Sequence, residues 1–266
     1  MTNNYRSGVN VFAALMAAFS LLVGSVRAEG FQWRKEPPDA FRAGERIEYR
    51  IKYGLVNSGS ASLEVTGVEE VNGRATYHLA SRARTNKSLD VFFKVRDEND
   101  SWMDVLSLCS QRFQQKVREG GYAKETLTTY NHPDRRFEHS HRGKHSKEPH
   151  TYSGDIPPFV QDPLSALYYL RTVDLQVGQE HLIDANSGGK TWPLKVRVEA
   201  REEVKVPAGK FLCFRVEPVM AGEGIFMSKG RLEVWITADQ RRIPVLLRSK
   251  VAVGSFNAEM TSYTSP

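Results

Sequence analysis

The chain is poor in the signatures of chemistry. Its 266 residues contain no Gly-x-Ser-x-Gly elbow, no His-Glu-x-x-His helix, no Gly-rich phosphate loop and no Cys-x-x-Cys pair. The commonest local motifs of serine hydrolysis, zinc proteolysis, nucleotide binding and thiol redox work are therefore missing. A dispersed catalytic triad leaves no local trace, so an enzyme is unsupported rather than excluded. Cysteine is scarce, with two residues, Cys109 and Cys213. In an oxidising compartment they can pair, or stay as buried thiols that behave as small hydrophobes. No basic stripe is present. The formal net charge of +6 is spread along the chain, and Glu45, Arg46, Glu48, Arg50 and Lys52 alternate in the manner of a solvated strand face. This argues against a nucleic-acid partner. After residue 28 no segment is apolar enough to cross a membrane as a helix, and no internal repeat is visible.

What is present begins with a leader. Arg6 precedes a run from Val9 to Val26 that contains no charge, centred on Leu15, Leu21, Leu22 and Val23. Val26-Arg27-Ala28 satisfies the small-residue rule for cleavage, and the run is at the short end for a membrane span. Residues 1–28 are read as a cleavable signal peptide, and the expected destination is the periplasm or the exterior. Removing them takes away Arg6 and Arg27 and no acid, so +6 becomes +4. The next residue is Glu29 rather than Cys, which argues against a lipid anchor. No integral span is expected after cleavage.

Residues 29–44, with Pro37-Pro38, read as an extended arm, and 45–266 as one β-rich domain. From Glu45 onward the chain alternates with period two in about a dozen runs, the mark of half-buried antiparallel strands. Asn72-Gly73 is the strongest hairpin signal, because both central residues of that turn need positive φ. Leu232, Val234 and Ile236 share one face, and Glu233, Trp235 and Thr237 the other. Across the turn Ala238–Arg241, Ile243, Val245 and Leu247 oppose Arg242, Pro244, Leu246 and Arg248. Pro244 lacks an N–H and is expected at a ladder gap, a bulge or an edge. Lys87–Phe93 breaks the alternation as one helical turn or an apolar loop. Asp162–Val173 is the clearest helix, with Asp162 as cap and Pro163 in the first position. Gly143–Pro158 is polar and proline-bearing and reads as a loop. The predicted fold class is all-β: a strongly curved antiparallel sheet or open barrel packed on one short helix.

Two polar groups invite a chemical reading. His139, His141, His145 and His150 fall within twelve residues, but their neighbours are those of a solvated loop, and no metal or cofactor is expected. Arg96-Asp97-Glu98-Asn99-Asp100 and Asp104 offer carboxylates that need a shared cleft to act as an acid/base pair. The apolar set is the more informative. Phe92, Phe93, Leu164, Leu167, Tyr168, Phe226, Trp235 and Leu246 fall in loops, on the helix or on charged strand faces. Each alone reads as core; together they can line an apolar pocket between helix and sheet.

Several segments carry a family resemblance: Phe93-Lys94-Val95-Arg96-Asp97, Asp162–Arg171, Val206-Pro207-Ala208-Gly209-Lys210-Phe211, and Val234–Asp239 with Arg242-Ile243-Pro244-Val245. With them the chain resembles the DUF3108 family of exported bacterial proteins from about Gly44 to the C-terminus. That family implies no catalytic residues. The Trp235–Pro244 hairpin alone is similar to one in periplasmic lipoprotein carriers of the LolA/LolB type, whose incomplete barrels hold acyl chains. The expected function is non-catalytic binding of a lipid or lipoprotein acyl chain at the cell envelope. The alternatives are an assembly scaffold with an envelope protein partner, and a hydrolase acting on envelope polymers.

Overall fold

The computed structural model describes residues 30–36, 39–220, 231–250 and 254–266. The signal-peptide reading of 1–28 and the site residue Phe226 lie outside them. Two compact units divide the chain, Met1–Gln32 and Trp33–Pro266. Of the first, residues 30–32 are described and have no regular secondary structure.

The second unit is built on one antiparallel sheet. Its strands are β1 (Arg46–Tyr53), β2 (Val56–Val71), β3 (Arg74–Thr85), β4 (Arg96–Asp104), β5 (Ser110–Glu119), β6 (Tyr122–Asn131), β7 (Arg136–Gly143), β8 (His150–Asp155), β9 (Glu180–Ser187), β10 (Lys190–Val206), β11 (Gly209–Met220), β12 (Leu232–Thr237), β13 (Pro244–Lys250) and β14 (Ser255–Thr264). Two helices interrupt them, α1 (Lys87–Asp90) and α2 (Pro163–Leu170). The spatial order is β8-β7-β6-β5-β4-β3-β2-β1-β14-β13-β12-β11-β10-β9. The chain thus meanders outward from β1 to β8 and crosses through α2 to the opposite edge. It then meanders back from β9 until β14 pairs with β1. The all-β expectation holds.

The sheet is not closed by a continuous ladder, yet its edges meet at one seam. Gln161 forms a parallel bridge to Ala185. The Gln161 N–H donates to the Asp184 carbonyl at 2.8 Å, and the Asn186 N–H donates to the Gln161 carbonyl at 2.7 Å. On β8, the Tyr152 hydroxyl donates to the Gly188 carbonyl at 2.6 Å. Strand β8 corrects the reading of Gly143–Pro158 as a loop. His150–Asp155 pairs with β7 while its side chains stay mostly exposed. Ladder hydrogen bonds hold it rather than burial, so it shows no apolar alternation.

Local signals landed where chemistry required. Asn72 and Gly73 have φ of 54° and 71°, as the mirror-image turn demands. Pro244 faces Ile236 at a register shift next to Trp235, a bulge that spares its missing donor. In α2 the Asp162 carboxylate accepts from the Leu164 and Ser165 N–H groups, and the Ser165 hydroxyl accepts from the Asp162 N–H, a capping box. The helix stops at Leu170, short of the expected Val173. Arg171 drives its side chain into the core, where it meets Glu45 at 2.6 Å, and the backbone tightens so that the Thr172 N–H donates to the Tyr169 carbonyl.

Two apolar clusters result, and α2 serves both. One holds Ile47, Val65, Leu79, Met103 and Phe113 with Leu164 and Tyr168. The other holds Val196, Val216, Val234 and Ile236 with Ala166 and Leu170. The residues before β1 belong to the first cluster through Ala40 and Phe41.

Candidate functional site

Period-two alternation sends one side of β10–β13 towards α2. Val198, Val216, Val234 and Leu247 are successive cross-strand partners and form one aliphatic rung. Val196 beside Pro218, Leu194 and Leu232 extend the surface. Above it stand Pro163, Ala166, Leu167 and Leu170 of α2. Between helix and sheet lies a cavity of about 480 Å³ whose walls are overwhelmingly apolar. Trp192, Ala185 and Ser187 complete its side at β9–β10. The size suits a small-molecule site.

Among the described residues charge enters only at the strand ends. Glu217 and Arg231 line the cavity and form an ion pair. Behind them Glu233 is 3% exposed and is approached by Arg215 at 3.1 Å, Lys250 at 3.6 Å and Arg231 at 3.9 Å. Burial pushes its carboxyl up, but these three cations together hold it below the usual carboxylate range. The cavity is thus an apolar box with a balanced ionic edge. It offers dispersion and desolvation to a hydrocarbon.

The structure distributes the residues expected from sequence. Leu167 lines the cavity. Leu164 and Tyr168 sit on the other side of α2, where Tyr168 meets Phe41 edge-on at 5.0 Å. Trp235 and Leu246 are opposite each other in the ladder but on the far face of the sheet. There the long β10–β11 hairpin folds back over them: Trp235 Nε1 donates to Glu202 at 2.7 Å, and the Ala208 N–H at the hairpin tip donates to the Met260 carbonyl. Phe92 and Phe93 follow α1 and are 84% and 53% exposed. The lining residues that sequence reasoning did not single out include Val216, Val234, Leu232, Leu247, Leu194 and Ala166. Alternation did group Leu232, Val234 and Leu247 on one face; nothing local says that the face borders a void.

The polar clusters are tied up in structural pairing. His139 is buried and bonded to the Thr128 hydroxyl at 2.8 Å. Its ring lies 5.8 Å from that of His141, which lies 5.2 Å from that of His150. Among the described residues no three His, Cys, Asp or Glu side chains converge on a point that could hold a metal ion. Asp104 is locked by Arg74 and by the Leu106 and Ser107 N–H groups, and Asp100 by Arg82 and His78. Asp97 accepts from the Arg118 N–H at 3.0 Å, yet burial, with Glu119 adding, pushes its carboxyl up to about 6. It borders a polar groove of about 620 Å³ on the β1–β4 part of the sheet. Cys109 and Cys213 are free and buried, and burial pushes both thiols up to about 12. No helix among the described residues is long and apolar enough to cross a membrane, which leaves strand-built spanning unaddressed.

Comparison with known proteins fits this picture. A β-barrel-like protein of domain of unknown function DUF1849 from Brucella abortus superposes with a TM-score of 0.57 at 10% identity, covering 85% of this chain and 99% of that one. At that identity the likeness shows the fold alone. A Bacteroides fragilis protein with a YmcC-like fold covers 87% of this chain and 100% of its own at 10% identity, but its TM-score of 0.30 carries no argument. A comparison with curated proteins gives no match. The sequence model of the family described as "protein of unknown function (DUF3108)" matches residues 48–261, which takes in β1 through β14 almost entire, and the chain belongs to that family.

Proposed function

We propose that the protein is exported to the cell envelope and binds, without catalysis, one apolar or amphipathic ligand, a lipid or an acyl chain, in the cavity beneath α2. The observation that carries the reading is the cavity: about 480 Å³ lined mainly by apolar side chains of β9–β13 and α2. An acyl chain burying ten methylenes there gains about 8 kcal/mol, which corresponds to roughly micromolar affinity before ordering costs. The Glu217–Arg231 pair at the strand ends suits a polar head that stays in water. Export is supported by the leader-like run at 9–26.

The test is binding of a fluorescent fatty acid, together with native mass spectrometry of the purified protein. Val216→Phe and Ala166→Leu enlarge side chains that line the void. Each is expected to weaken binding by about tenfold or more while leaving the fold intact, since added volume has room to go. A wild-type protein that carries no lipid and binds no fatty acid defeats the proposal. So does undiminished binding by both variants.

A further inference from the structure

The antiparallel meander gathers several turns at one end of the sheet. Tyr53 ends β1, Val56 begins β2, α1 joins β3 to β4, Tyr122 begins β6 and Phe256 stands at the start of β14. Direct contacts show that these tips adjoin. The Gly54 N–H donates to the Ser255 carbonyl at 3.2 Å, and the rings of Tyr53 and Phe256 are 4.9 Å apart. Asn86 donates to the Ser58 carbonyl from its backbone at 3.0 Å and to the Asn57 carbonyl from its side chain at 2.7 Å. The Gly120 N–H donates to the Lys94 carbonyl at 2.8 Å. The Phe93 ring lies so near Gly120 that a Cβ there would meet it at 2.9 Å.

These adjoining tips are apolar and open to solvent. Leu55 is 97% exposed, Phe92 84%, Val91 80% and Val56 62%, with Phe93 and Tyr122 more than half exposed. Solvated loops that joined strands and did nothing else would not gather this much aliphatic and aromatic surface in one place. The charge beside them has one dominant sign. Between residues 84 and 96 stand Arg84, Lys87, Lys94 and Arg96 against one acid, Asp90, which Arg96 pairs. Arg118, Lys124, Arg142 and Lys144 flank the neighbouring turns against Glu119 and Glu125, the latter paired with Arg118 and Arg142, so cations stay in excess, and the Lys144 N–H donates to the Ala123 carbonyl. Apolar tips with an excess of cations beside them match a lipid surface whose acyl region takes the rings and whose anionic headgroups meet the lysines and arginines.

We infer that this end of the sheet docks the protein onto an anionic membrane surface, with Leu55, Val91, Phe92 and Phe93 inserted and the surrounding Lys and Arg at headgroup level. The cavity shares the orientation. Ser187 ends β9, Trp192 lies near the start of β10, Val219 near the end of β11 and Leu232 begins β12, so its strand-borne lining reaches the same end. The docking follows from the tips alone and does not depend on the cavity being occupied.

The experiment uses residues 29–266, which hold the whole compact unit Trp33–Pro266, so that the apolar run at 9–26 contributes nothing. Co-sedimentation is measured with vesicles containing phosphatidylglycerol and with vesicles of phosphatidylcholine alone. Wild type is expected to prefer the anionic vesicles and to release at high salt. Phe92→Ser with Phe93→Ser should weaken binding roughly tenfold or more, because two rings lose their apolar destination; circular dichroism checks that the fold survives, since Phe93 also packs against Gly120. In a second readout, Phe92→Trp should show a blue-shifted emission on vesicle addition. Absence of wild-type binding, equal binding by the double serine variant, or a concentration-dependent dimer that this variant abolishes would overturn the docking. Fatty-acid binding in vesicle-free solution separates the two readings. Protein that docks but binds no fatty acid removes the cavity reading alone, and protein that binds fatty acid but not vesicles removes the docking alone.

Discussion

Glu45→Gln should be the most informative single substitution in the fold. Glu45 and Arg171 have side chains 0% and 1% exposed. Their two parallel contacts are 2.6 and 2.8 Å. Arg171 Nη2 also donates to the Ala40 and Arg241 carbonyls at 3.0 Å each, and the Tyr263 hydroxyl reaches Glu45 at 3.3 Å. One guanidinium thus ties the segment before β1, the β12–β13 turn and β14 to the end of α2. Removing the carboxylate charge leaves the cation buried without its counter-ion, which costs about 3–5 kcal/mol. For a domain of this size each kcal/mol moves the thermal midpoint by roughly 2–4 °C, so calorimetry or circular dichroism should register a drop of about 6–20 °C. The double variant Glu45→Leu/Arg171→Met removes both charges and should return to within about 2 kcal/mol of wild type, because the pair also bears its own desolvation penalty. The cycle is then strongly non-additive. A loss below about 1 kcal/mol for Glu45→Gln, or a double variant as unstable as the two single changes combined, would refute this account of how α2 is held.

Two further predictions concern titratable groups. Burial, with His141 and Lys124 adding, pushes the His139 imidazole down to about 4. The unfolded chain therefore takes up this proton near pH 6.5 and the folded chain only near 4. Stability from this residue is intact above about pH 6.5, falls as the pH drops through that window, and the loss levels off at about 3 kcal/mol below it. The urea midpoint of wild type should decline more steeply from pH 7 to 4 than that of His139→Phe, and parallel profiles would contradict the assignment. Cys109 and Cys213, buried and with thiols pushed up to about 12, should ignore a disulfide reagent until the chain unfolds; rapid labelling of either in native buffer would contradict their placement.

What can be read from the sequence is local. The Asn72-Gly73 turn, the Asp162-Pro163 cap and the Pro244 bulge each follow from the backbone needs of one or two residues. The alternation of Leu232, Val234 and Ile236 follows from the pleat. Strand β8 is not legible because hydrogen bonds to β7 define it while its side chains stay in water. Trp235 reads as a pocket residue, yet its cover comes from β10–β11, some thirty residues away: the partner of its ring nitrogen is Glu202. Phe92 and Phe93 look like core by composition, and nothing in the neighbouring residues says that their turn projects from the end of the sheet.

The position of the cavity has a cause that no single segment contains. On the inner face of β3–β7 the cross-strand rows are Leu79, Ser101, Phe113, Thr128 and His139, and beside them Ser81, Asn99, Gln115, Thr126 and His141. Polar groups in these rows find partners: Gln115 donates to Asn99 at 2.9 Å, Thr128 meets His139, and the Ser101 hydroxyl donates to Asp162 under the start of α2. On β10–β14 the corresponding row is Val198, Val216, Val234, Leu247 and Ala258. Aliphatic groups have no such partners and need matter above them. What α2 supplies there is Pro163, Ala166, Leu167 and Leu170, while its larger Tyr168 turns to the other cluster. An eight-residue helix serving two clusters, with its aromatic Tyr168 on the other one, leaves that arm underfilled among the described residues. The void is therefore a product of how side-chain size is divided around α2, and the proposed apolar ligand is an occupant that would complete the packing.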